Sequence, residues 1–295
     1  MKQVLFILLF LFPFISTAQT KLVLLGTGTP FADPERSGPS LAIVVGNHSY
    51  LVDAGPGLVR RAAAAYNKGQ QGLQADQLRT LFLTHLHSDH TAGLSDLIFT
   101  PAVLDRNTPL RVFGPKGTKK MVQHTQKAFK EDMEIRIHGL EFGNALGYQV
   151  QVHEITPGII YQDSLIRVKA FRVKHGAWKE AFGFRFETAD KIIVVSGDCT
   201  YSEELIEQAK GADILVHEVY SSIGLNKREQ RWKNYHSTFH TSPEQLGLIA
   251  KLAQPKLLVL THQLFFGTPP DQLLKEVQNV YQGKVVQGND LDVFD

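Results

Sequence analysis

The chain has 295 residues, 43% of them hydrophobic, with 31 basic against 29 acidic side chains and a formal net charge of +2. That length suits one large α/β domain or two small ones, and the near-neutral balance gives no electrostatic case for a long polyanionic partner. A single cysteine, Cys199, excludes an internal disulfide, so stability has to come from core burial.

Residues 1–18 read as a leader rather than as part of the fold. Lys2 supplies a basic start, residues 4–15 an apolar run, and Ser16-Thr17-Ala18 a small-residue cleavage site, the pattern of a secretory signal peptide. The apolar run is short for a bilayer span, and an uncleaved anchor is the competing reading. Cleavage removes Lys2, takes the net charge from +2 to +1, and leaves one domain over residues 19–295. The expected address is periplasmic or extracellular, with no membrane attachment afterwards.

In chain order, residues 22–25 form a short apolar strand ending in the turn-rich GTGTP (26–30). Strands at 41–45 and 49–52 flank Gly46-Asn47 as a hairpin, and the second runs into Asp53-Ala54-Gly55-Pro56-Gly57. An alanine-rich helix follows at 58–66, a strand at 78–83, a helix at 91–104, a strand at 110–113 and a helix at 118–129. Period-two segments cover 148–154, 164–173 and 182–187. Strands at 191–196, 213–217 and 256–260 then alternate with helices at 202–208, 243–253 and 272–281. Hairpins first and βαβ-like alternation later predict two packed sheets with helices outside.

The most informative segment is HLHSDH, which puts His85, His87, Asp89 and His90 on a loop directly after the strand Leu81-Phe82-Leu83. Imidazole and carboxylate suit Zn²⁺ or a related divalent ion, and two adjacent ions can share one water as nucleophile. One loop cannot close two metal sites. His175, Asp198 and His262 each follow a predicted strand, where a side chain can turn from the sheet edge into a shared cleft.

With those three residues, HLHSDH resembles the metallo-β-lactamase-fold hydrolases, a four-layer αββα sandwich. The resemblance implies that His85, His87 and His175 hold one metal and Asp89, His90 and His262 the other, with Asp198 between them. Two Zn²⁺ ions are the implied cofactor, Mn²⁺ and Fe²⁺ the alternatives. Asp53 resembles the carboxylate that steadies the metal loop in that fold; it reads equally as a turn Asp bonded to its own backbone. Closer within the superfamily are ribonuclease Z and, closer still, the zinc-dependent (type III) arylsulfatases. The matching stretches are GTGTPFADPERSGPS (26–40), YLVDAGPG (50–57), HLHSDHTAGL (85–94), SGDC (196–199), HEVY (217–220) and HTSPEQLG (240–247).

His240 stands twenty-two positions before His262, the interval of a proton-donating histidine in ribonuclease Z-like sequences, and Glu218 resembles its orienting carboxylate. Together with Asp89 of the metal loop, they make up the implied catalytic set. A departing oxygen needs a proton unless it already leaves well, and a phenol of pKa about 10 leaves more readily than a sugar alkoxide. A retained acid therefore points to poor leaving groups. His236 is a rival for that duty, and His217 reads as packing near the site. Trp178, Phe265 and Phe266 line either a substrate pocket or the core. Arg60, Arg61, Lys174 and Lys179 read as solvated.

The leading expectation is an exported dinuclear-metal hydrolase of small anionic sulfate esters or phosphodiesters, arylsulfatase-like, using a hydroxide that bridges the ions. A homodimer is compatible with it, and no nucleic-acid partner is called for. Ribonuclease Z is the alternative, opposed by the leader and by the interval of only twenty-two residues between His175 and Asp198. Many ribonuclease Z sequences insert a tRNA-gripping arm there. A lactonase, or a non-catalytic binding protein on the same scaffold, are further alternatives. Diiron oxidoreductases of this fold usually carry a glutamate where His87 stands.

Overall fold

The computed structural model describes residues 19–295, and the leader predicted over residues 1–18 lies outside the described residues. The first six strands build one sheet: β1 (Thr20–Gly26), β2 (Ser40–Val45), β3 (His48–Val52), β4 (Thr80–Phe82), β5 (Leu110–Gly114) and β6 (Val150–Glu154). The next seven build the other: β7 (Gly158–Gln162), β8 (Ile166–Arg172), β9 (Phe182–Thr188), β10 (Ile192–Val195), β11 (Ile214–Tyr220), β12 (Leu257–Leu264) and β13 (Val285–Gln287). A last short strand, β14 (Val293–Phe294), returns to the first sheet beside β1. Each sheet is mixed. It opens with antiparallel pairs (β1 to β3, β7 to β10) and continues with parallel ones (β3 to β6, β10 to β13).

Period-two alternation sorts the side chains into three apolar layers. Leu22 and Leu24 of β1, Phe182, Phe184 and Phe186 of β9, and Ile193 and Val195 of β10 meet between the sheets. Their neighbours Val23 and Leu25 face the other way, onto α1 (Leu58–Asn67) and onto α3 (Leu94–Val103). Val194, Leu215 and Leu258 face outward beneath α6 (Glu203–Ala209), α9 (Pro243–Ala253) and α10 (Pro270–Gln278). The result is the expected αββα order. Phe82 sits at the middle of an aromatic cluster with Phe113, Tyr161, Phe184 and Phe186, at centroid distances of 5.2–5.8 Å. That cluster fixes the strand that feeds the metal loop.

Two local devices bear on the site. The helix expected over residues 91–104 is split into α2 (Ser88–Thr91) and α3 at Gly93, where a Cβ would lie 2.3 Å from the Gly55 carbonyl oxygen. α9 carries a capping box, with Ser242 and Gln245 reciprocally bonded and Pro243 at its first turn. Elements the alternation did not mark are α5 (Lys130–His138), β7, α7 (Ser222–Asn226), α8 (Gln230–Phe239), β13 and β14; α4 (Thr118–Ala128) ends close to where it was expected. No helix among the described residues is long and apolar enough to cross a membrane.

Candidate dinuclear metal centre

The metal loop leaves β4 and turns into α2, so that His85, His87, Asp89 and His90 sit at one edge of the two sheets. His175 follows β8, and Asp198 follows β10 past Gly197, whose φ of +61° makes the turn. His262 differs from expectation: it lies inside β12, not after it. Glu218 pairs with Thr261 and Val219 with Gln263, so His262 is the extra residue of a β-bulge, with φ +42°. A bulge re-aims a side chain, here into the cleft.

These ligating atoms converge. His85 Nε2 lies 3.0 Å and His175 Nε2 3.1 Å from His87 Nδ1. Asp89 Oδ2 is 3.4 Å from His90 Nε2 and 3.3 Å from His262 Nε2. Asp198 Oδ2 stands between the groups, 3.4 and 3.5 Å from His90 and His262 and 3.9 and 4.0 Å from His85 and His175. Donors at about 2.1 Å around a tetrahedral ion are about 3.4 Å apart, so both sets have the spacing of a metal cage. His90 Nε2 is buried without a hydrogen-bond partner among the described residues, an orphan that a cation satisfies. The donor set fits two divalent metals, with nitrogen and carboxylate oxygen the chemistry zinc favours.

Outer contacts fix the rings. His85 Nδ1 meets Thr84 Oγ1 at 3.0 Å, and that hydroxyl donates to Asp53 Oδ2 at 2.9 Å. His90 Nδ1 donates to the same Asp53 carboxylate at 2.8 Å, and the Thr84 amide donates to Oδ1 at 2.8 Å. His175 Nδ1 donates to the Phe239 carbonyl at 2.7 Å. Each bond holds a proton on Nδ1 and leaves Nε2 aimed at the centre. Of the two readings of Asp53, the geometry selects the one that steadies the metal loop. Trp178 Nε1 donates to His87 Nε2 at 2.6 Å, which makes it a brace for a ligand rather than core filler.

Burial works against the Asp198 carboxylate, but His262 and His90 more than offset it and hold its pKa well below the usual range. Burial also opposes charge on His90, yet Asp198 and Asp53 raise it well above the imidazole range; His262 is raised in the same way by Asp198 and Asp89. Burial pushes His175, His217, His236 and His240 down from 6.5 to about 4. Glu218, buried beside Asp198, is raised well above the carboxylate range.

A stability profile follows. Between about pH 6.5 and 4, the unfolded chain takes up protons that six depressed histidines (His85, His87, His175, His217, His236 and His240) refuse when folded. They outnumber buried Glu218, which keeps a proton in the folded state, so stability falls as pH falls. Above pH 6.5, folded His90 and His262 keep protons that the unfolded chain releases, so stability falls as pH rises. The chelated protein is expected to melt highest near pH 6.5, and added zinc to remove the alkaline loss by taking the place of those protons. Calorimetry across pH 4.5–9 checks this, and a monotonic profile would overturn it.

Near Asp198 the structure also places the implied acid pair. His240 Nδ1 is 3.9 Å from Asp198 Oδ2 and 3.5 Å from Glu218 Oε2. Glu218 Oε1 accepts from the Thr241 amide at 2.9 Å and the Cys199 amide at 3.3 Å. His217 packs beneath, its Nδ1 bonded to the Glu218 carbonyl at 2.7 Å. His236 lies one ring farther out than His240, with the two centroids 5.6 Å apart. Lys174, Lys179 and Trp178 line a groove on one side of α8; Phe265 and Phe266 line a pocket on the other. Arg60 pairs with Asp96 at the surface, but Arg61 is not simply solvated: it bonds Ser37 Oγ at 2.9 Å and Asp290 at 3.2 Å. Sequence reasoning missed Thr84 and the aromatic face of α8. Trp232, His236 and His240 at spacing i, i+4, i+8 were the available signal.

A seven-residue His/Asp cage at the edge of an αββα sandwich defines a metal-dependent ester hydrolase. The β-lactamase superfamily domain model matches residues 48–263. Ribonuclease Z of Mycobacterium bovis is 34% identical over 278 residues, covering 92% of this chain and 96% of the relative. Among solved structures, the short form of human tRNase Z superposes with a TM-score of 0.69 at 24% identity, covering 93% of this chain and 98% of that one. The metallo-β-lactamase-fold protein YhfI of Bacillus subtilis does so with 0.71 at 20%, covering the same 93% and 98%. The chain belongs to the β-lactamase superfamily, as a metallo-β-lactamase-fold hydrolase resembling ribonuclease Z. The Mycobacterium and human proteins are named for ribonuclease Z and tRNase Z activity and none of the three for a sulfatase, so the arylsulfatase part of the expectation finds no support here. The expectation of no nucleic-acid partner conflicts with what those two are named for.

Proposed function

We propose that the protein is a metal-dependent phosphodiesterase of the ribonuclease Z type, cutting RNA. The observation that carries this reading is the buried Glu218–His240 pair beside Asp198, because a ribose oxygen leaves poorly and needs a proton. His85, His87 and His175 would hold one divalent ion, Asp89, His90 and His262 the other, and Asp198 would be shared. When bound, such a pair supplies Lewis-acid activation of water and of the phosphoryl centre.

The chain's own residues supply the proton. Glu218 was expected to serve as a charged orienting carboxylate. Burial and the adjacent Asp198 favour its protonated form instead. Backbone amides of Cys199 and Thr241 fix Oε1, which leaves Oε2 facing His240 Nδ1. Because burial keeps the imidazole neutral, its Nε2–H passes to the departing oxygen only as the Glu218 proton moves onto Nδ1, so the ring stays neutral and Glu218 is left as the carboxylate. The leader pattern supports an exported enzyme. The interval between His175 and Asp198 is taken up by β9, β10 and their connections, which suits short RNA better than a folded tRNA gripped by an added arm.

The test presents zinc-loaded protein with a 3′-extended precursor tRNA, a short single-stranded oligoribonucleotide, bis(4-nitrophenyl) phosphate and 4-nitrophenyl sulfate. Cleavage of the oligoribonucleotide and of bis(4-nitrophenyl) phosphate with little sulfate release is the expected result. Faster hydrolysis of the sulfate would restore the arylsulfatase reading and overturn this one.

A further inference from the structure

Beside the centre lies a cavity of about 630 Å³ between the loop after β1, the exposed side of α8 and the end of β12. A ladder of near-parallel rings connects the two. Trp232 and His236 are 6.0 Å apart at 30°, His236 and His240 5.6 Å at 31°, and His240 and His262 5.6 Å at 20°. Trp232 therefore stands two ring spacings from His240, within reach of a nucleoside attached to a phosphate held at the centre. Phe266 closes the inner wall at 4.5 Å from His236.

The outer wall is Phe31, 80% exposed, on a loop that is held in place rather than free. Asp290 accepts from the Thr27 amide and hydroxyl and from the Ser37 amide at 2.8–2.9 Å, and Arg36 donates to Thr27 Oγ1 at 2.8 Å. Leaving an aromatic side chain in water at the tip of a clamped loop costs hydrophobic stabilisation unless something stacks on it. Trp232, 43% exposed, faces the same cavity. Two features add polarity. His236 Nδ1 is buried with no hydrogen-bond partner among the described residues. The exposed Arg228 forms no ion pair among them; its guanidinium lies 5.9 Å from the Phe266 ring.

We propose that this cavity is a stacking subsite for one unpaired nucleobase flanking the scissile phosphodiester. Trp232 and Phe31 supply the π-faces, the His236 ring stands beneath Trp232, and Arg228 attracts the attached phosphate. The inference rests on the phosphodiesterase reading and deepens it. Aromatic faces tolerate any base, so the subsite selects single-stranded nucleotides over small alkyl esters without reading sequence.

The test compares uridine 5′-(4-nitrophenyl phosphate) with methyl 4-nitrophenyl phosphate, which share a leaving group and differ in the base. Trp232→Ala and Phe31→Ala are expected to lower kcat/KM for the uridine ester roughly 10- to 100-fold and to leave the methyl ester unchanged, with Trp232→Phe largely restoring the uridine ester. An unchanged ratio between the two esters overturns the proposal. A calorimetric titration separates this outcome from failure of the catalytic reading. Uridine 5′-monophosphate is expected to bind at least tenfold more tightly than methyl phosphate, with the advantage lost in Trp232→Ala. If no phosphodiester is cut yet this advantage persists, the subsite stands and the catalytic reading falls. Equal affinities for the two ligands sink the subsite.

Discussion

Asp198→Asn is expected to strip both ions and to lower phosphodiester hydrolysis by more than ~10³-fold, because metal activation of water is lost with them. The reason is positional. Asp198 Oδ2 is within 3.4–4.0 Å of His90, His262, His85 and His175, so one neutralised carboxylate weakens both halves of the cage. Asparagine keeps the shape, which separates charge from packing. Without metal, the raised His90 and His262 would also lose their shared partner, and breaking such a buried pair costs about 3–5 kcal/mol. Zinc content by atomic absorption, with a thermal melt beside it, checks both parts. Two equivalents of zinc retained by the variant would refute the shared role.

The second large effect belongs to His240. His240→Ala is expected to cost roughly 10²–10⁴ in kcat on an RNA phosphodiester, and less than ~10-fold on a 4-nitrophenyl ester whose leaving group needs no proton. Glu218→Gln should follow the same pattern. It keeps an oxygen for the Thr241 and Cys199 amides but carries no transferable proton toward Nδ1. Leaving-group dependence distinguishes an acid from a residue that merely packs. Equal losses on both esters would remove the assignment.

Much of this was legible because it is local. HLHSDH carries four candidate ligands within six residues, and alternation in β8 to β10 shows which side chains face the middle layer. His175 and Asp198 could be found because strand ends point into clefts. The bulge at His262 could not, since nothing in residues 257–264 marks an extra residue. α8 escaped for a different reason. None of its residues is buried, so it shows no core-facing stripe, and its Trp232 and His236 line the cavity instead. Net charge is a poor guide to partners because it averages the whole surface, of which the exposed Arg228 and Lys174 are local features. The sulfatase expectation came from family resemblance in the loops, which share metal chemistry across substrates.

Asp290 has one more implication. Through Thr27, Ser37 and Arg61 it ties the far end of the chain to the rim of the cavity, a long way in sequence from any ligand. Damage there would leave Arg61 and three hydrogen-bond donors without their partner, so it is expected to lower the melting temperature while it frees the rim of the cavity. An affinity handle fused at the carboxyl end is therefore the first thing to remove when such a preparation melts low.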